Sequence, residues 1–150
     1  MSIAFAQFVI DCQDPAALAG FWSGVLGVPV DPGASPYFAT VGRAGERPLR
    51  PAWMFIKVPE PRIGKNRVHA DLVATDWAAE VERVVGLGAT RVAEFDEYGT
   101  RWVTLTDPGG QRLRHRRRVR APVRRHRFDG TVRTDGTTGR NWTGRVSAGR

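Results

Sequence analysis

Short apolar runs and helical stripes alternate along the first two-thirds of the chain. Phe8 to Ile10 is a short β-branched run, and Asp14-Pro15 then supplies a helix N-cap with proline at the first helical position. Apolar residues recur at helical spacing up to Gly27, which favours the end of a helix: Leu18, Phe21, Trp22, Val25 and Leu26. These signals predict a strand followed by a helix over about 14–26.

The same order of signals returns in the second half. The segment HADLVATDWAAEVERVVGLGATRV, from His69, aligns with QFVIDCQDPAALAGFWSGVLGVPV, from Gln7, so that Asp76 falls on Asp14. The second segment predicts a helix over about 76–87, ended by Gly88. Further strands are predicted at 37–41, 52–58, 90–95 and 101–106. The pattern therefore predicts an α+β fold of two tandem βαβββ modules, at about 3–60 and 66–110.

Charge divides the chain at about residue 109. The protein has 150 residues and a net charge of +8. Residues 109–150 contain 13 arginines and two aspartates, a net +11, which leaves −3 for residues 1–108. The predicted modules are therefore mildly acidic. We expect a globular domain over 1–110 and an Arg-rich, disordered tail over 111–150.

The remaining composition indicates a reducing compartment. Cys12 is the only cysteine, so no intrachain disulfide can form. The first residues lack a basic segment and carry Asp11 and Asp14, which is not typical of a secretory signal. No apolar run reaches the roughly 20 residues of a membrane helix. We expect a cytoplasmic protein without a membrane partner.

Three segments carry a resemblance to a known superfamily. FVIDCQDPAALAGFWSGVLG, KVPEPRIGKNRVHADL and WVTLTDPGG resemble the vicinal oxygen chelate superfamily, in particular its bacterial glyoxalase-like subgroup of glyoxalase, bleomycin-resistance and dioxygenase proteins. The resemblance implies eight strands in two modules, which form a cupped half-barrel around a small-molecule pocket. It also implies that the modules pair between chains, so we expect a homodimer.

The sequence after Asp107 departs from that resemblance. Members of the superfamily continue from a turn similar to DPEGN into an apolar last strand, whereas this chain reads DPGGQRLRHRRRVR. The arginines of that stretch would fall on both faces of a strand, so we expect the last strand to be missing. Codons for Glu-Gly-Asn and an acidic residue, read one nucleotide out of frame, encode Gly-Gly-Gln-Arg. We hypothesise a shifted reading frame from about Gly109; the alternative is an arm over 112–127 that binds nucleic acid non-specifically.

A divalent metal site is implied by the resemblance, with two ligands from each module. The first-strand positions fall on Gln7 and His69. Imidazole suits a divalent metal ion, whereas the amide oxygen of Gln is a weak ligand. The last-strand positions, normally Glu, fall within Trp53 to Val58 and on Arg114. Most catalytic divalent sites need at least three protein ligands. We therefore expect no bound cofactor, and we leave a divalent metal at Gln7 and His69 open.

Other polar residues near His69 suggest a ligand site. Lys65, Asn66 and Arg67 precede the predicted His69 strand, where they can bind an anionic or carbonyl-bearing ligand or tie the linker to the opposite sheet. Asp71 shares the His69 face in a strand and can act with it in acid–base catalysis, or form a salt bridge to Arg67 or Lys65. Trp102 is a further candidate for ligand contact.

Two classes of function remain open from the sequence. The first is a small-molecule-binding protein without a complete metal site, as in bleomycin resistance. The second is an enzyme of lyase, isomerase or oxygenase type that acts on a small oxygenated metabolite through His69. The absent carboxylates favour the binding protein.

Overall fold

The computed structural model describes residues 3–46 and 48–117. Within these ranges the chain forms seven strands and two helices, in this order: β1 (Gln7–Cys12), α1 (Pro15–Leu26), β2 (Phe38–Val41), β3 (Ala52–Lys57), β4 (Ala70–Ala74), α2 (Trp77–Gly86), β5 (Thr90–Glu97), β6 (Thr100–Thr106) and β7 (Arg112–Arg117). The described residues include no helix long and apolar enough to cross a membrane.

Capping residues set the helix boundaries close to the predicted ones. Asp14 accepts a hydrogen bond from the Ala17 backbone N–H at 3.0 Å, and Asp76 accepts one from Ala79 at 3.2 Å. Gly27 ends α1 with a φ of 66°, a left-handed conformation that glycine adopts without a steric penalty. The predicted helices are confirmed, and both modules begin as the sequence pattern indicated.

Each module contributes one β-sheet. In the first, β3 lies between β1 and β2; in the second, the strand order is β4-β7-β6-β5. The first strand of each module runs parallel to the last strand of the same module. Helix α1 packs against β2 and β3, and α2 packs against β4 and β7. We call the face of each sheet turned away from these helices the inner face.

The first module has one strand fewer than the resemblance implied. Val30 forms a single antiparallel bridge with Val41, and the Asp31 N–H donates to the Thr40 carbonyl at 2.8 Å. This bridge is on the edge of β2 that does not pair with β3. In the second module, β5 occupies the equivalent edge of β6. The expected additional strand is thus reduced to one bridge, and the described residues contain seven strands instead of eight.

The predicted absence of the last strand is wrong. Residues 112–117 form β7, which pairs with β4 on one side and β6 on the other. Leu113 and His115 are buried on the helix side, at 0% and 2% exposure. Arg112, Arg114 and Arg116 alternate with them and so share the inner face. The first three arginines of this strand thus share one face, while Arg117, its last residue, alternates onto the other face and is exposed.

β7 extends the described part of the second module to Arg117, beyond the predicted boundary at 110. The part of the 112–127 stretch that the structure describes belongs to a sheet, so its arginines do not form a separate nucleic-acid-binding arm. Residues 118–150 lie outside the described residues, and the predictions of a disordered tail, a shifted frame and nucleic-acid binding stay predictions for them.

A single cluster of buried side chains joins both modules. It is formed by apolar residues of both helices and both sheets, among them Leu18, Trp22, Phe55, Val84, Val103, Leu105 and Leu113. Trp22 also stacks on Trp53, with ring centroids 4.3 Å apart. Because the core is continuous, the inner faces of the two modules are held in one compact unit.

Candidate functional site

The inner face of the second module is built from four paired strands. Asp71 of β4 lies opposite Arg114 of β7, and Arg114 lies opposite Thr104 of β6. Trp102 of β6 lies opposite Phe95 of β5. Since paired residues project to the same side of a sheet, these side chains form one continuous surface. His69, immediately before β4, borders this surface.

His69 and Asp71 form a hydrogen-bonded pair. His69 Nδ1 lies 2.8 Å from Asp71 Oδ1, and both side chains are partly exposed. The other carboxylate oxygen of Asp71 accepts from Arg116 Nη1 at 3.3 Å. In the tautomer with hydrogen on Nδ1, His69 donates to this carboxylate, and Nε2 is then the ring nitrogen that can take a proton. Asp71 therefore forms a salt bridge with Arg116. The sequence suggested Arg67 or Lys65 as its partner, and neither forms this salt bridge.

A cavity of about 280 Å³ lies over this face, and we call it the cationic cavity. Its charged lining residues are Lys65, Arg112, Arg114 and Glu97, and His69 also borders it. Among the described residues, none of the three cations forms a salt bridge with a carboxylate. Three cations against the single carboxylate of Glu97 leave the lining of this cavity with a net positive charge.

Aromatic rings form one wall of the cationic cavity. Phe95 and Trp102 stack with centroids 5.2 Å apart, and the Arg114 guanidinium lies 5.7 Å from the Trp102 ring centroid. This cation–π contact fixes the direction of Arg114. The Trp102 indole N–H is buried and has no acceptor within the described ranges. The structure therefore brings Trp102 to the same cavity as Lys65 and His69.

Asn66 has a structural role that the sequence left open. Its side-chain oxygen accepts from the Arg112 N–H at 2.9 Å, and its amide donates to the Arg112 carbonyl at 3.2 Å and to the Val68 carbonyl. Asn66 thus ties the linker to β7 and sets the position of the Arg112 backbone. Arg67 is exposed and lines neither cavity that His69 borders.

A second cavity, of about 420 Å³, lies beside the first, and we call it the aromatic cavity. It is lined by Phe8, Trp22 and Trp53 of the first module and by Val68 of the linker, together with Asp11, Asn66, Asp107 and Gln111. His69 and Arg112 line both cavities. They therefore form the wall that separates the cationic cavity from the aromatic one.

Asp107, which lines the aromatic cavity, and Cys12, which follows its lining residue Asp11, are buried titratable groups. Burial raises the pKa of Asp107 above its ordinary value, although hydrogen bonds from Gln111 and Trp22 oppose this. Burial, helped by the nearby carboxylates of Asp14, Asp107 and Asp11, raises the pKa of the Cys12 thiol to about 11. Cys12 is therefore a protonated thiol at neutral pH and a poor nucleophile.

The strand registers identify the structural counterparts of the metal positions. Gln7 of the first module corresponds to His69 of the second. With Phe8 paired to Trp53 and Ala70 paired to Leu113, Met54 of β3 is the counterpart of Arg114. Gln7 Nε2 lies 3.4 Å from Met54 Sδ, and Gln7 lines neither cavity that His69 borders.

These residues do not fit the divalent site that the resemblance implies. A guanidinium cannot bind a metal, and a thioether is a soft, uncharged donor. The structure brings together His69 and Arg114 but does not bring Gln7 to them. Within residues 3–46 and 48–117, no three His, Cys, Asp or Glu side chains cluster in a way that could hold a metal ion.

Sequence reasoning missed Arg112 and Arg114 as site residues. The sequence predicts both to lie in the tail, with Arg114 at a metal position it cannot serve, although the order R-L-R-H-R already alternates charged with buried positions. Phe8 and Trp53 were likewise read as strand or core positions. Their contribution to a cavity depends on how the two modules pack, which a local pattern does not show.

Comparison with known proteins decides the family. The profile of the glyoxalase-like domain matches residues 7–114, which is most of the chain. The chain belongs to the glyoxalase-like domain family, within the vicinal oxygen chelate superfamily. No curated protein matches the sequence.

Solved structures share the fold of this glyoxalase-like protein. A glyoxalase/bleomycin resistance protein/dioxygenase family enzyme from Burkholderia phytofirmans PsJN superposes with a TM-score of 0.63 at 16% identity, over 78% of this chain and 100% of that one. The fosfomycin resistance protein FosX from Listeria monocytogenes gives 0.61 at 11% identity, over 79% and 96%. A related protein from Nocardioides gives 0.60 at 14% identity, over 80% and 86%.

One of these relatives has been solved with ligands. A variant of the Listeria FosX protein is complexed with Mn(II) and 1S,2S-dihydroxypropylphosphonic acid; it is 11% identical, with a TM-score of 0.61 over 77% of this chain and 90% of that one. At such identities the likeness establishes the fold. The ligands are properties of the FosX protein.

Proposed function

We propose that this protein binds a small anionic metabolite or drug in the cationic cavity, without a complete divalent metal site. The observation that carries the proposal is the pair of inner-face arginines, Arg112 and Arg114, which line the cavity with Lys65 and have no described carboxylate partner. Arginine presents a planar fork of donors that matches carboxylate and phosphonate oxygens, so two such forks favour an oxyanion.

The position of Arg114 gives the proposal its physical basis. It occupies the last-strand position where the superfamily implies a metal-binding carboxylate, beside His69 and Thr104. A fixed cation at this position supplies positive charge that a metal ion would otherwise supply. The FosX relative complexed with a phosphonic acid supports the chemical class of the ligand, a small oxygenated anion.

The test is isothermal titration of the full-length protein with a panel of small carboxylates and phosphonates. Charge-assisted hydrogen bonds contribute about 1.5–3 kcal/mol. We expect Arg114→Met to weaken the best ligand by roughly 10- to 150-fold. Arg91→Met is the matched control, because Arg91 is in the same sheet but pairs with Glu82 outside both cavities. Equal affinities for Arg114→Met and the unmodified protein would contradict the proposal.

A second candidate function is an enzyme that uses His69 as a general base. It is favoured by the 2.8 Å hydrogen bond between His69 and Asp71, which leaves Nε2 to take a proton from a bound substrate. For any ligand found to be turned over, His69→Gln is expected to lower kcat by about 10²- to 10⁴-fold. Asp71→Asn should lower kcat less, with Asp96→Asn as a control; a kcat unchanged by both His69→Gln and Asp71→Asn would leave binding as the function.

The homodimer and the cytoplasmic location expected from the sequence stay predictions. The proposed site does not depend on either prediction, because all the residues invoked for it belong to one chain.

A further inference from the structure

We propose that the ligand is amphipathic: its anionic group lies in the cationic cavity, and a flat apolar body lies in the aromatic cavity. This inference rests on the proposed function, because it assumes that the arginines bind the anionic group. It adds the chemical class of the rest of the ligand, an aromatic or extended conjugated acid.

The first observation is that the two cavities share a wall. His69 and Arg112 line both of them. The volumes are about 420 Å³ and 280 Å³, whereas sites for drug-sized ligands span roughly 300–1,000 Å³. The smaller cavity is thus sized for a head group, and a ligand that occupies both cavities lies against His69 and Arg112.

The second observation is that the repeat changes character between the modules. Asp71 and Arg114 in the second module correspond to Val9 and Met54 in the first, through the same strand pairing. Val9 lines the aromatic cavity, whereas Met54 lines neither cavity. The repeat thus places an apolar side chain at the aromatic cavity where the second module has Asp71, which favours a ligand that is polar at one end and apolar at the other.

The third observation is the aromatic lining of the larger cavity. Phe8 is 37% exposed and its ring centroid lies 5.8 Å from that of Trp53, which in turn stacks on Trp22. Val68 is 71% exposed at the same cavity. Apolar surface of this kind gains stability when a ring covers it, and aromatic rings favour a flat partner.

The charges of the aromatic cavity set the direction of the ligand. Asp11 and Asp107 are its carboxylates, and Asp107 is held by the Trp22 indole and the Gln111 N–H. An anionic group in this cavity would be repelled by them, whereas Lys65 and Arg114, which line only the cationic cavity, attract it there. The anionic end therefore faces the second module.

The test is calorimetric titration of the full-length protein with three probes: 3-(2-naphthyl)propionate, propionate and the uncharged 3-(2-naphthyl)propionamide. We expect the naphthyl acid to bind at least tenfold more tightly than either of the others. Naphthyl acid that binds no better than propionate would overturn the amphipathic ligand.

Two variants locate the apolar body. Val68→Asp and Phe8→Ala should each weaken the naphthyl acid about tenfold and leave propionate unchanged. Val73→Asp is the matched control, because Val73 is 64% exposed but lines neither cavity. If neither variant weakens the naphthyl acid, or if Val73→Asp weakens it equally, the inference is wrong.

The two proposals fail in different ways. If Arg114→Met leaves propionate and the naphthyl acid unaffected, the anion site and with it this inference are wrong. If Arg114→Met weakens both acids equally while the naphthyl group adds no affinity, the anion site stands and only the amphipathic ligand is wrong. Binding of none of the three probes contradicts both.

Discussion

The Trp22 indole Nε1 donates a hydrogen bond to Asp107 Oδ2 at 3.1 Å, between α1 of the first module and the turn before β7 of the second. Both side chains are buried, at 2% and 3% exposure. Asp107 also accepts from the Gln111 N–H at 2.8 Å, so it shapes the turn that leads into β7. One carboxylate thus links the helix of one module to the strand that carries the arginines of the other.

We predict that Asp107→Ala lowers the free energy of unfolding by about 2 kcal/mol, because it leaves the buried Trp22 N–H without its acceptor. Asp107→Asn should lower it less, since the amide oxygen still accepts. Urea unfolding followed by tryptophan fluorescence measures both. Asp96→Ala, at an exposed carboxylate, is the control and should lie within about 0.5 kcal/mol of the unmodified protein. Unfolding of Asp107→Ala at the same urea concentration as this control would contradict the role of the link.

The second prediction concerns β7 as a core strand. Leu113 is fully buried between β4 and β6, so Leu113→Ala should cost about 2–5 kcal/mol through lost burial and the cavity left behind. Leu87→Ala is a matched control at a position that is 39% exposed, and it should cost much less. The measurement is urea unfolding of the full-length chain. Equal losses for the two variants would show that residues 112–117 do not pack as β7.

The third prediction concerns pH and His115. Burial lowers the pKa of His115 below its ordinary 6.5; the Glu80 carboxylate opposes this and the Arg83 cation adds to it. As pH falls through about 6.5, the unfolded chain binds a proton that the folded protein does not, so the free energy of unfolding falls until the pH lies below the folded pKa.

His115→Leu removes that proton uptake. We expect the stability difference between pH 7.5 and 5.5 to be smaller in His115→Leu than in the unmodified protein, as measured by urea unfolding at each pH. His69→Gln, which removes an imidazole from the partly exposed inner face, serves as the comparison. If the stability difference between pH 7.5 and 5.5 is the same in His115→Leu as in the unmodified protein, another group causes it.

The fourth prediction concerns metal content. Since Arg114 and Met54 occupy the last-strand positions, protein purified without added metal should contain well under one equivalent of Zn, Ni, Mn or Fe per chain. Elemental analysis of the purified protein gives this value directly. Stoichiometric metal that disappears in His69→Ala would show that His69 belongs to a metal site with ligands beyond those identified.

Much of the fold was predictable because its signals are local. The Asp14 and Asp76 caps and the apolar stripes place both helices within a residue or two, since each signal acts within one helical turn. The shortened strand at Val30 was not predictable in the same way. Its bridge to Val41 depends on the path of the chain between them.

The misreading of residues 112–117 has a physical cause. The run of arginines predicts charge on both faces of this stretch, whereas Leu113 and His115 supply a buried face in β7. A strand needs apolar or neutral side chains on one face only, and the inner face of an open, cupped sheet accepts charge. The register between β4 and β7 then decides which arginine lies beside Asp71.

The sequence by itself determined the family, the two modules, the helix boundaries and the presence of His69 and Asp71 on one face of a strand, because periodicity and the repeat are written in neighbouring residues. Only the tertiary structure decided that Arg112 and Arg114 line a cavity with Lys65, that Gln7 contacts Met54 and lines neither cavity, and that Asn66 ties the linker to β7. These relationships join residues far apart in the chain. They are fixed by strand pairing and by the packing of a shared core, and neither can be predicted from a local sequence pattern.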